Sequence, residues 1–153
     1  MNVPIYKGKV LTIRITYKTI DALSLRGEQR TLCESHIDEE KFRLKIYGES
    51  QVTFNDVSFK EFDVDIYGES QLTIQKGTID YQKITAYGEG DINLEAVTNR
   101  TSKLKAYGEA KFIVNVSQRI KFTAYGEAEL FYKGAAEVDR GLSIGDSKVN
   151  RIE

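Results

Sequence analysis

Apolar and polar side chains alternate with a period of two along most of the chain, as in Leu44-Lys45-Ile46, Val64-Asp65-Ile66, Ile84-Thr85-Ala86 and Leu104-Lys105-Ala106. Successive side chains of a strand point to opposite faces, so this pattern predicts strands with one face buried. The alternation is interrupted at regular intervals by a four-residue corner. Tyr47-Gly48-Glu49-Ser50 and Tyr67-Gly68-Glu69-Ser70 are followed by three near copies at Gly88, Gly108 and Gly126. Weaker copies lie at Arg26-Gly27-Glu28-Gln29 and Ile144-Gly145-Asp146-Ser147. The spacings along Gly27, Gly48, Gly68, Gly88, Gly108, Gly126 and Gly145 are 21, 20, 20, 20, 18 and 19 residues. Gly8 is a candidate start for one further copy.

With each Gly as reference, the apolar positions form columns. Four residues before it stand Leu23, Leu44, Val64, Ile84, Leu104 and Phe122, and two before it stand Leu25, Ile46, Ile66, Ala86, Ala106 and Ala124. Four after it stand Val52, Leu72, Ile92, Phe112, Leu130 and Val149, and six after it Phe54, Ile74, Leu94, Val114 and Tyr132. Each unit therefore predicts a strand, a corner and a second strand, with Val57-Ser58-Phe59 and Gly77-Thr78-Ile79 as a short third strand or a loop. A unit this short cannot bury its own apolar face, but stacked copies turn the columns into one core. The expected fold is all-β: a right-handed parallel β-helix, or β-solenoid, of about seven coils of 18–21 residues over residues 1–153. Seven rungs at about 4.8 Å make a rod roughly 33 Å long. No long amphipathic helix is expected; Glu34–Lys41 is charged and lacks an apolar stripe.

The polar columns agree with in-register stacking. Arg43, Asp63 and Lys83 follow one another, as do Lys45, Asp65 and Thr85, and Asp91, Lys111 and Glu129. Opposite charges on adjacent rungs stabilise, and like charges cost. The corner has a structural explanation: Gly supplies positive φ, the small residue two places later fits an inner bend, and the tyrosines cover the edge. The glutamates Glu49, Glu69, Glu89 and Glu109 fall in a column of like charge. They either splay into water or line a cation or ligand groove, although one carboxylate per rung is few for a hard cation that takes six to eight oxygens.

Composition narrows the picture. The chain has 22 basic and 23 acidic residues, a formal net charge of −1, which supplies no overall field to draw in nucleic acid or an anionic membrane. No apolar run approaches the length of about 18 residues that would span a bilayer. The one cysteine, Cys33, excludes an internal disulfide, and the one proline, Pro4, leaves the repeat free of a residue that would break its ladders. No secretory signal is read at the N-terminus.

Candidate chemistry is sparse. Cys33 and His36 are near in sequence but cannot complete a four-ligand zinc site. Asp63 and Asp65 project from one strand, as acid–base pairs do in carbohydrate-cleaving β-helices, or simply answer the basic rungs beside them. No phosphate loop and no basic-aromatic nucleic-acid patch is read. Asn99-Arg100-Thr101 and Asn115-Val116-Ser117 match a glycosylation sequon too common to carry weight. Five after Gly the outward column changes from Thr53, Thr73 and Asn93 to Ile113 and Phe131, with Tyr132 alongside. These three are the candidate interaction surface, unless the C-terminal tail covers them.

Three features together resemble a known family: the opening Val10–Tyr17 followed by Ile20–Gly27, the repeated YGE corner where much of the family writes SGxG, and the ending Phe131-Tyr132-Lys133-Gly134 with Ser143–Ser147. The chain is similar to the head GIN domain family, bacterial proteins of unknown function grouped as putative autotransporter adhesins. The resemblance implies a right-handed parallel β-helix and an envelope or extracellular setting, and it implies no established activity or catalytic residues; no cofactor is expected. Two functions compete. One is a non-catalytic adhesin-like module or structural rod that meets a surface protein or glycan. The other is a polysaccharide-active enzyme of the pectate-lyase type, favoured only by architecture. An open first coil, with Leu11, Ile13 and Ile15 on its strand, implies a missing upstream segment or a homo-oligomer through the solenoid edge. At the other end, loss of parity at Leu142 and Ile144 and a polar tail suggest a plug.

Overall fold

A computed structural model describes residues 12–153. The strands are β1 (Ala22–Arg26), β2 (Arg30–Tyr47), β3 (Gln51–Ile74), β4 (Gly77–Lys133), β5 (Glu137–Ile144) and β6 (Ser147–Arg151). Every pairing between them is parallel, in the order β1-β2-β3-β4-β5, with β6 also on β4. This is a parallel β-solenoid. Seven stacked glycine corners, Gly27 to Gly145, bound about six turns, so the expected seven coils are better counted as seven corners. The long elements β3 and β4 arise because the ladder continues through the corner: Tyr67, Gly68, Glu69 and Ser70 pair in register with Tyr87, Gly88, Glu89 and Gly90.

The core is the set of columns read from the alternation. Leu44 pairs with Val64 and Val64 with Ile84; Ile46 pairs with Ile66 and Ile66 with Ala86. All are buried, as are Val52, Leu72, Ile92, Phe112 and Leu130 on the far side of the corner. The third stretch of the coil is a strand: Val57, Ser58 and Phe59 pair with Gly77, Thr78 and Ile79. It brings Phe59 against Phe42 (centroids 4.9 Å, planes 9° apart) and Phe62 (5.1 Å), an aromatic cluster in the first full coils. Glu34–Lys41 lies within β2, and no helix occurs among the described residues.

Register shifts appear where the coil length changes. Cys33 pairs with Phe54, 21 residues on, whereas His36 pairs with Asp56, 20 on; the extra residue of the first coil is absorbed between them. Phe122 pairs with Arg140 and Ala124 with Ser143, so a second extra residue enters at Gly141-Leu142. This second shift places Arg140 and Ser143 in line with Phe122 and Ala124, where earlier rungs carry apolar groups. Arg140 and Ser143 are themselves exposed, as are Leu142 and Ile144, and it is Ala136, Val138 and Val149 that pack against the end of the core.

The N-terminal expectation needs correction. Thr12–Ile20 forms no strand, and Ile13 and Ile15 are exposed rather than lying on a first rung. The first rung starts at Ala22, because only from there does the chain have a parallel partner, Ala22 against Arg43. Pro4, Gly8, Val10 and Leu11 lie outside the described residues.

Candidate functional site

The corner is built upward from glycine. Gly48, Gly68, Gly88, Gly108 and Gly126 all have φ between +96° and +127°. Each approaches the carbonyl oxygen of the preceding corner glycine so closely that a Cβ on Gly68 would lie 2.7 Å from Gly48 O, and one on Gly88 2.9 Å from Gly68 O. Glycine is therefore needed twice, for backbone angle and for space. The small residue two places on turns inward. Ser50 Oγ donates to Gly27 O at 2.7 Å and Ser70 Oγ to Gly48 O at 2.8 Å, each tying one corner to the one before. Gly90, Ala110 and Ala128 keep the space without the hydroxyl.

Outside this column the tyrosines form a ladder. Tyr47, Tyr67, Tyr87, Tyr107 and Tyr125 stack with centroids 4.8–5.1 Å apart and planes within 6°. Arg26 closes the first ring, its guanidinium carbon 4.8 Å from the centroid of Tyr47, a cation–π contact. Burial between its neighbours, with Asp65 and the adjacent tyrosines, holds the Tyr67 hydroxyl above the usual tyrosine range. Ring faces are occupied by other rings, so the ladder presents edges and hydroxyls and offers no open aromatic platform along its length.

On the other side of the corner runs an open groove of about 680 Å³, lined by Glu49, Glu69, Glu89, Glu109 and Glu127 on successive rungs. Beside them the next outward column supplies Gln51, Gln71, Asp91, Lys111, Glu129 and Lys148. The structure thus brings the four sequence-predicted glutamates together in one wall. They remain a ladder: among the described residues no three Asp, Glu, His or Cys side chains converge as metal ligands. Glu129 meets Lys148 at 3.4 Å, an opposite-charge pair on adjacent rungs.

The remaining candidates are dispersed. Asp63 bonds to Lys41 (3.4 Å), which also holds Glu61 (2.7 Å), one column away from the Arg43 and Lys83 that flank Asp63 in register. His36 Nδ1 lies 3.2 Å from Asp56 on the next rung, and Asp56 takes a second contact from Lys76 at 3.0 Å. The Lys76 hydrogen bond foremost, then that of His36, holds the Asp56 carboxyl below the usual range, against a desolvation that raises it. Cys33 is half-buried, and desolvation pushes its thiol up to about 11. A thiol this protonated at neutral pH is a poor nucleophile. Labelling by a maleimide is expected to be slow in the native protein and fast in denaturant. Equal rates in both would show an open first coil.

Ile113 and Phe131 occupy the outward column as read from sequence, but both are half-buried, and Lys111 lies over the Phe131 ring at 5.5 Å. Tyr132 packs against the core. The tail pairs beside this segment as β6, with Phe131 opposite Asn150, and so adds a rung at its edge. The most exposed large apolar side chains are elsewhere, at Ile13, Ile15, Leu32, Leu142 and Ile144.

Two features escaped the sequence reading. Arg26 closing the tyrosine ladder stands immediately before its Gly, in the tyrosine's own column. The column six before Gly runs Phe42, Phe62, Gln82, Ser102 and Ile120, so a polar layer enters the core midway. Gln82 Nε2 donates to Ser102 Oγ at 2.9 Å, and Asn99 Nδ2 to Ile79 O at 3.0 Å.

No curated protein matches the chain. A family model does, described as "Putative auto-transporter adhesin, head GIN domain", over residues 3–136, which takes in every YGE corner from Gly48 to Gly126. With most of its length covered by that match, the chain belongs to the head GIN domain family.

Proposed function

We propose that this chain is a non-catalytic surface-binding rod of the bacterial envelope, adhesin-like in the sense of its family's description. One observation carries the reading: side chains around the corner repeat rung after rung, hydroxyl on hydroxyl and carboxylate on carboxylate, through the stacked tyrosines and the glutamate wall. Catalysis asks for the reverse, unlike titratable groups gathered at one point with pKa values pushed apart. A repeated surface instead suits many weak contacts with an extended or repeated partner, where avidity multiplies small affinities.

Two measurements test this. Purified, labelled chain is expected to bind a bacterial envelope preparation saturably, and absence of saturable binding to envelope or host-cell surfaces would remove the proposal. Incubation with polygalacturonate, with and without calcium, is expected to yield no new chain ends. Turnover that disappears in Asp63→Asn or Asp65→Asn would establish the pectate-lyase-type alternative in its place.

A further inference from the structure

Three successive rungs on the sheet before the corner depart from the opposite-charge columns of Arg43, Asp63 and Lys83 and of Asp91, Lys111 and Glu129. The residues alternating with the core columns there form a grid: Tyr81, Lys83 and Thr85; Thr101, Lys103 and Lys105; Arg119, Lys121 and Thr123. The rungs are aligned by the Gln82–Ser102 hydrogen bond and by the stack of Tyr87, Tyr107 and Tyr125. Of the nine positions, five are cationic and four carry hydroxyls; none is acidic and none aliphatic. Thr85 is covered by its neighbours, and the other eight reach solvent. Four lysines elsewhere meet carboxylates across rungs, Lys41 with Glu61, Lys60 with Glu40, Lys76 with Asp56 and Lys148 with Glu129, while Lys45 and Lys111 form no ion pair among the described residues. None of the five grid cations takes part in an ion pair among the described residues. Lys103 has Lys83 and Lys121 as its column neighbours, an arrangement that costs free energy unless an anion relieves it. Lys83, Lys103 and Lys105 are half-buried, which lays their stems on the sheet and leaves the ammonium groups at its surface.

The grid has sharp borders. In register before it stand Glu61, Asp63 and Asp65, and after it Glu137 and Asp139. A molecule of net charge −1 thus carries a local positive field three rungs, about 10 Å, deep. We propose that this face binds a short acidic saccharide segment, with anionic groups on the lysine columns and sugar hydroxyls on Tyr81, Thr101 and Thr123. Hydroxyl side chains donate and accept, as sugar hydroxyls require. A membrane or a protein partner fits less well: the grid exposes no aliphatic side chain to enter a bilayer or to anchor an interface. The flanking acids repel a long polyanion laid along the axis, so the ligand is a segment of a few units. The proposal rests on the surface-module reading and names its ligand class.

The test uses the full chain on biosensor tips bearing oligogalacturonate, a sulfated oligosaccharide, neutral dextran, polyaspartate or phosphatidylglycerol vesicles. The expected result is binding to one or both acidic saccharides at low salt, falling as salt rises, with none to dextran. K103E/K105E is expected to weaken binding about tenfold or more. The same change should not lower the melting temperature, because a carboxylate between Lys83 and Lys121 relieves their repulsion; if that variant does not fold, K103Q/K105Q carries the test. Reversing two exposed cations on strands beyond the corner, R30E/R151E, should leave binding within about twofold. Equal binding to dextran, unchanged affinity in K103E/K105E, or tighter binding to polyaspartate or vesicles would overturn the assignment. A wild-type chain that binds envelopes but no acidic saccharide, or a K103E/K105E chain that still binds acidic saccharides like wild type, would overturn it while the surface-module reading stands. Absence of saturable wild-type binding to both envelope and host-cell surfaces would end both.

Discussion

Gly88→Val is expected to destabilise the protein by about 3 kcal/mol or more, read as a lowered midpoint in a denaturant melt. Two costs add. Gly88 sits at φ +106°, where a β-branched residue is a poor fit. Its Cβ would also meet Gly68 O at 2.9 Å, and that oxygen belongs to backbone locked into the neighbouring rung, so it cannot swing aside as a side chain would. Gly88→Ala should already carry most of the penalty, since the first carbon makes the contact. An alanine variant within about 0.5 kcal/mol of wild type would mean that neither the angle nor the contact is needed.

Phe42→Ala is expected to cost about 4 kcal/mol, the range for removing a buried phenylalanine. Phe42 has no exposed surface and touches three other rings: Phe59 face to face at 4.9 Å, Phe54 edge-on at 5.9 Å and Phe62 at 6.2 Å. The hole cannot collapse easily, because the walls are ladder-bonded strands on both sides. The loss should also be local. In a stacked fold each coil contacts only its neighbours, so amide exchange should accelerate in Val52–Ile66 while Phe112–Ala124 stays protected. Uniform acceleration along the chain would show that the rod unfolds as one unit. A loss below about 1 kcal/mol would show that the aromatic cluster is not a stabilising centre.

The architecture was legible because its cause is periodic. Leu44, Val64 and Ile84 share a column for the same reason that their glycines do, and the corner itself reports where a backbone must carry positive φ. Legibility ends where periodicity does. Leu11, Ile13 and Ile15 alternate like a strand, yet alternation records which face is apolar and says nothing about whether a partner strand lies alongside; for Thr12–Ile20 none does. Gln82 and Ser102 keep the parity of the core column six before Gly but are polar, and Asn99 lies in the third stretch, where the bend after Phe59 disrupts simple parity, so polarity hid the burial of all three. The charge columns predicted register correctly, but not which atoms meet: long side chains reach diagonally, and Asp63 bonds Lys41 in place of Arg43. The glutamate wall was visible as a column. That its members stay apart without converging depends on side-chain direction, which spacing does not encode.

The glycine corners carry a consequence for how such a rod changes length over generations. Each corner is satisfied by the corner before it and satisfies the one after, through the same glycine-to-glycine contact. Excising one whole coil, or duplicating it by unequal recombination, rejoins equivalent halves of the same contact and leaves every column continuous. Inserting one residue at a corner displaces all the columns that follow. The bulges between Cys33 and His36 and at Gly141-Leu142 show where a coil takes up an odd residue. Reach is therefore a quantity that a gene of this design adjusts in whole steps of about 4.8 Å, one coil at a time, while the surface chemistry of the retained coils passes through unchanged.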